Sequence, residues 1–179
     1  MLYRRFIQIE HGMTKDSIVE HYQSHTNSLS QAIKHIRCIT MAVDIKTIHR
    51  LIAEMRPRIV IIDVLDGINV EGVRDENQKG EIIARELKQI AMQQNVIIIG
   101  IHHISKSAAE NPLGKAKRLT AHSGKGASAL EQKSDKVIGI EGDRDEPIRI
   151  VTSLKSRDET NFRLSFKVDP KTFRFDQQL

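Results

Sequence analysis

Five charged or titratable residues in this chain are spaced so that together they could handle a phosphoryl group. Asp63 ends the apolar run Arg58-Ile59-Val60-Ile61-Ile62, and His102 and His103 end a second run that begins at Asn95. Both runs predict parallel strands buried on both faces, and open α/β sheets place their chemistry at the carboxyl ends of such strands. A carboxylate there can hold Mg²⁺, often through water, against phosphate oxygens. Side chains alternate along a strand, so only one of the two histidines can face the reactive edge, where it could hydrogen-bond a terminal phosphate. Glu10 follows the short run Phe6 to Ile9 in the same manner and could orient and deprotonate an attacking water. Lys155 and Arg157 lie just past the run Ile148 to Leu154, on one face by alternation, and two cations so placed suit a transferring phosphoryl group, including one bound by a neighbouring subunit. Each residue also has an ordinary reading: a turn-capping aspartate, an exposed glutamate, a satisfied core histidine, two solvated cations. Asp66 is a further acid at the edge that Asp63 occupies.

The segment from Ser105 to Lys125 carries Lys106, Lys115, Lys117, Arg118 and Lys125 against the single acid Glu110, which accounts for most of the formal charge of +5. Cations in such a loop can bind a nucleic-acid backbone by releasing counterions from its phosphates. Without aromatics for base stacking, sequence-independent tracking of the backbone is the expected mode. A basic loop with no ligand is the plain alternative. Nowhere do the 179 residues contain a G-x-x-x-x-G-K-[ST] loop that would cradle a nucleotide's phosphates.

The elements that must position these residues follow from periodicity and caps. Phe6 to Ile9 predicts a strand delivering Glu10. Thr14 then offers an N-cap to a helix carrying Ile18 and Tyr22. A helical stretch from Ser28 to His35 leads to a predicted strand over Ile36 to Met41. Asp44 can cap a helix with Ile45, Ile48, Leu51, Ile52 and Met55 at helical spacing, and Pro57 ends it before the Asp63 strand. Asp75 with Gln78 opens a helix bearing Ile83, Leu87 and Ile90 on one side, followed by a strand over Val96 to Ile101. Gly80 weakens the first turn of that helix and could shift its start later. The stretch Ser105 to Ser123 reads as a mobile loop, and a short helix is expected near Ala127 to Gln132. Short strands over Val137 to Glu141, Ile148 to Leu154, Arg163 to Val168 and Phe173 to Phe175 should pair antiparallel. The whole predicts one α/β domain, 1–179, with a mainly parallel sheet flanked by helices and an antiparallel C-terminal extension.

No stretch approaches the roughly 18 apolar residues of a membrane span, and no apolar signal follows Met1-Leu2-Tyr3-Arg4-Arg5, so a soluble, cytoplasmic protein is expected. Cys38 has no partner for an internal disulfide and reads as a small core hydrophobe. No cluster of Cys and His has zinc-ligand spacing.

Taken in order, strand-Glu10, the Asp63 strand, the His102-His103 strand, the basic loop, Gly124-Lys125-Gly126-Ala127-Ser128-Ala129-Leu130-Glu131-Gln132, Asp135 and Lys155-Ser156-Arg157 resemble the RecA-like motor domain of replicative hexameric helicases. That family includes bacterial DnaB, phage primase-helicases and mitochondrial Twinkle. The run His102-His103-Ile104-Ser105-Lys106 is also similar to plasmid RepA-type ATPases. The resemblance implies ATP and Mg²⁺ as cofactors, Glu10 as catalytic glutamate, Asp63 as Walker B aspartate and His103 as γ-phosphate sensor. It implies Lys155 and Arg157 as the pair that reaches a neighbour's nucleotide. Lys106, Lys115, Lys117 and Arg118 would line a central channel for single-stranded DNA in a ring, usually of six. In that family a phosphate-binding loop and its strand come just before the glutamate strand; here they are missing, and the chain is expected to be part of a longer product, inactive alone toward ATP. The alternatives are a RepA-like or recombinase-type ATPase, or a nucleotide-free DNA-binding or structural relic.

Overall fold

The computed structural model describes residues 2–20, 33–103, 127–142, 146–157 and 160–178. The chain divides into two compact units: one formed by Met1–Thr40, Ile140–Thr152 and Phe162–Leu179, the other by Met41–Gly139 and Ser153–Asn161. Among the described residues no helix is long and apolar enough to cross a membrane.

The second unit holds the larger core. Helix α3 (Ile45–Met55) starts where the Asp44 carboxylate accepts the Thr47 N–H at 2.7 Å, and it ends at Arg56, which adopts a left-handed φ of 47° ahead of Pro57. Strand β1 (Ile59–Asp63) follows, then a 3₁₀ turn over Leu65–Gly67. Helix α4 (Glu76–Gln94) is capped by Asp75, whose carboxylate accepts the Gln78 N–H at 2.8 Å, as the sequence predicts. Gly80, expected to weaken the first turn, does not delay its start. Strand β2 (Ile97–Ile101) pairs parallel with β1, in register from Ile59↔Ile97 to Asp63↔Ile101.

Apolar residues at helical spacing bury Ile48 and Ile52 of α3 and Ile83, Leu87 and Ile90 of α4 with Leu65, Ile68 and Val96. Val60, Ile62 and Ile98 pack against that cluster from one face of the sheet. The opposite face is open: Ile59 is 54% exposed, Ile61 65% and Ile97 61%. The expectation of strands buried on both faces is therefore corrected, because the helical core lies against a single face. In β2, Gly100 admits a close approach: a Cβ built there would stand 2.7 Å from the Leu65 side chain.

The first unit opens on a helix, α1 (Leu2–His11), where the sequence predicted a strand ending at Glu10. A strand needs a ladder partner, and none of the described strands pairs with this segment. Helix α1 instead buries Ile7 against Ile18 of α2 (Lys15–Glu20), with Phe6, Met13 and Ile33 around them. Its end is a Schellman turn: Gly12 takes a φ of +62° and the Met13 N–H donates to the Gln8 carbonyl at 3.2 Å. Thr14 accepts the Ser17 N–H at 3.3 Å at the start of α2, as expected. The predicted helix from Ser28 to His35 lies mostly outside the described residues. The predicted strand over Ile36 to Met41 has no ladder partner, and Cys38 is exposed rather than core.

Helix α5 (Ala127–Lys133) precedes four strands, β3 (Lys136–Glu141), β4 (Ile148–Ser156), β5 (Arg163–Val168) and β6 (Phe175–Gln178), in sheet order β3-β4-β5-β6. Pairs β4–β5 and β5–β6 are antiparallel, as the alternating runs predict. The last strand starts at Phe175 because Phe173 sits in the turn with a φ of 59°.

Candidate active site

The two strands of the parallel pair end level with each other. Asp63 is the Cα partner of Ile101, so the chain emerges from β1 at an acid and from β2 at His102 and His103. The Asp63 side chain is exposed at this rim. An exposed carboxylate at the end of a buried-side strand suits Mg²⁺, which takes hard oxygen ligands and is held by one or two carboxylates together with substrate phosphates. Of the histidines, His102 turns inward: its side chain is 16% exposed and its Nδ1 lies 2.8 Å from Asp66 Oδ1. His103 is 73% exposed, with Nδ1 4.0 Å from the other Asp66 oxygen. Alternation along the strand thus leaves His103, not His102, free to meet a ligand at the edge.

Asp66 is tied in from a second side. Lys79 in the first turns of α4 donates to the Asp66 carbonyl at 2.8 Å. Leu65, Asp66, Glu76, Lys79, His102 and Leu130 line a shallow depression beside the rim. Among the described residues no group of three Asp, Glu, His or Cys side chains could hold a metal by themselves.

Lys155 belongs to β4 itself and Arg157 follows its end. Both turn onto the carboxyl end of α5, where backbone carbonyls have no helical partner. The Lys155 ammonium donates to the Glu131 carbonyl and, at 3.3 Å, to that of Gln132. Arg157 donates Nη2–H to the Gln132 carbonyl at 3.3 Å and places Nη1 3.4 Å from Asp135. Asp135 also accepts from Lys88 of α4, at 2.7 Å to one oxygen and closer to the other. The Lys88 hydrogen bond, then the charges of Lys88, Arg157 and Lys155, hold the Asp135 carboxyl below its ordinary value.

Glu10 lies in the other unit, exposed in the last turn of α1. There Arg174 donates to the Ile9 carbonyl at 3.0 Å and approaches that of Glu10 at 3.5 Å, satisfying groups the helix end leaves open. Gln8 donates to the Lys171 carbonyl at 2.6 Å and Arg5 stacks over Phe173 at 4.7 Å, so the turn before β6 anchors the helix that bears Glu10.

No protein-family model and no curated protein matches this sequence. Solved structures do. The ATPase domain of a helicase is similar with a TM-score of 0.78 at 19% identity, over 97% of this chain and 68% of that one. A DnaB-like replicative helicase, solved for its interactions with primase, is similar with the same TM-score and identity, over 97% of this chain and 46% of that one. The fold is that of a DnaB-like RecA domain.

Within the DnaB-like fold, Asp63 and His103 share one sheet rim, while Lys155 and Arg157 share one dock at the end of α5. Lys106, Lys115, Lys117 and Arg118 lie outside the described residues. Sequence reasoning gave no role to Lys88 or Asp135 and left Asp66 a secondary acid. The Lys88–Asp135 pair spans 47 residues, a separation at which no periodicity signals contact. The Asp66–His102 contact joins two strand ends and depends on the β1–β2 register.

Proposed function

We propose that this chain carries the metal-binding, phosphate-sensing and intersubunit part of an ATP-driven motor that translocates on single-stranded DNA as a ring, usually a hexamer, in the cytoplasm, together with a phosphate-binding loop carried outside these 179 residues. The observation that supports this reading most is the Asp63↔Ile101 register, which sets an exposed acid and an exposed histidine at the ends of adjacent parallel strands. When bound, Mg²⁺ neutralises the charge of the transferring phosphoryl group. Asp63 holds the metal and its waters. His103 hydrogen-bonds the terminal phosphate, and its loss on hydrolysis is passed to the basic segment that follows. Glu10 takes the proton of the attacking water. Lys155 and Arg157 complete the site of the adjacent subunit, and Lys106, Lys115, Lys117 and Arg118 hold the DNA backbone.

The test is DNA-stimulated ATP hydrolysis and unwinding of a fork with a 5′ tail by the complete gene product. Asp63→Asn and Arg157→Ala should each abolish turnover while nucleotide still binds. Full turnover by either variant contradicts the reading. Hydrolysis without unwinding would instead favour a RepA-like or recombinase-type ATPase.

A further inference from the structure

Lys155 and Arg157 have long side chains with many rotamers, and a cation that serves a transferring phosphoryl group has to be presented in one of them. Both cations converge on one small acceptor surface: the Glu131 and Gln132 carbonyls at the end of α5 and the Asp135 carboxylate in the connector to β3. We propose that Asp135 is a positioning residue that, with those two carbonyls, fixes the direction in which Lys155 and Arg157 leave the end of β4. This rests on the reading of Arg157 as the cation that serves the adjacent subunit's nucleotide.

The division of contacts carries the inference. Lys155 takes the carbonyls alone, so the helix end holds it without help from a charge. Arg157 is held by one carbonyl at 3.3 Å and by Asp135 at 3.4 Å, so the carboxylate sets the plane of its guanidinium fork. Two of its five N–H donors are used and the rest stay available to phosphate oxygens. Lys88 grips Asp135 more closely, at 2.7 Å, from the other side and keeps the carboxylate from rotating onto solvent. Asp135 is also held ionised at neutral pH by these same cations.

A purely structural tie between α4 and the α5–β3 connector would need Lys88 and Asp135 equally, whereas positioning of Arg157 needs Asp135 and only secondarily Lys88. In the complete gene product, Asp135→Asn should lower the kcat for ATP about tenfold or more with KM unchanged, Asp135→Glu should recover much of it, and Lys88→Met should stay within about twofold of the parent. In the 179-residue chain, the Arg157 Nε–H signal by NMR should lose its protection in Asp135→Asn and keep it in Lys88→Met. An unaltered Arg157 signal in Asp135→Asn overturns the proposal, as does equal loss of kcat in Lys88→Met and Asp135→Asn. If Arg157→Ala is itself fully active, the reading of Arg157 as the intersubunit cation falls. If Arg157→Ala is inactive but Asp135→Asn is unaffected, only the positioning role falls.

Discussion

Asp63 and Ile101 are partners across the parallel β1–β2 ladder, and His103 stands two residues beyond Ile101. The acid and the imidazole are therefore fixed by the same backbone hydrogen bonds, and what happens to one strand end is transmitted to the other. Asp63→Asn should leave the fold intact, changing stability by less than about 0.5 kcal/mol because the side chain is exposed. It should eliminate Mg²⁺-dependent hydrolysis in the complete gene product. Chemical denaturation of the variant beside an ATPase assay checks both halves.

Packing of Leu65 on Gly100 links the turn that carries Asp66 to the strand that ends at the histidines. A methyl at position 100 would meet Leu65 Cδ1 and Cδ2 at 2.7 and 2.8 Å, and Leu65 is only 7% exposed, in the core cluster, with little room to move. Gly100→Ala should cost about 1–3 kcal/mol as overpacking. Urea unfolding midpoints measure this, and a variant as stable as the parent contradicts the packing described.

Three aspartates should make the fold sensitive to acid. Asp44 is held below its ordinary 3.8 by the Thr47 N–H, Asp135 by Lys88 and Asp169 by the Lys171 N–H. Each takes up a proton more readily when unfolded than when folded. Their contribution to stability is present above 3.8 and is lost as the pH falls below that, through the lowered folded values. Replacing all three by Asn should flatten the stability profile in that acidic window, as measured by thermal unfolding from pH 7 downward.

The basic segment gives a prediction that depends on charge alone. Changing Lys115 and Lys117 together to Ala should weaken binding to a single-stranded oligonucleotide at low salt. The slope of log affinity against log salt should fall by about 1.4 if each lysine meets one phosphate. Fluorescence anisotropy across a salt series reads both effects, and identical slopes would remove these lysines from the DNA path.

Helices α3 and α4, strands β1 and β2 and the antiparallel strands were legible in the sequence because each has its own period and its own cap: Asp44 and Asp75 accept the N–H groups their positions foretold. The strand ends followed, and with them Asp63 and His103. What could not be read was whatever depends on distant partners. Phe6 to Ile9 is short and apolar enough for a strand, yet without a ladder partner it coils into α1, burying Ile7 on Ile18. Cys38 likewise lies in a run that pairs with nothing and stays exposed. The dock of Arg157 on Asp135, and of Asp135 on Lys88, joins three separate elements through charge and leaves no trace in local patterning.

The most direct test is complementation between two inactive variants. Asp63→Asn and Arg157→Ala subunits of the complete gene product are each assayed alone and then mixed, with single-stranded DNA present. If the nucleotide site is shared between neighbours, each pure variant is inactive and the mixture regains ATP hydrolysis, because interfaces that unite an intact Asp63 with an intact Arg157 form again. A mixture that stays as inactive as its components, or an Arg157→Ala protein that turns over unaided, contradicts the account.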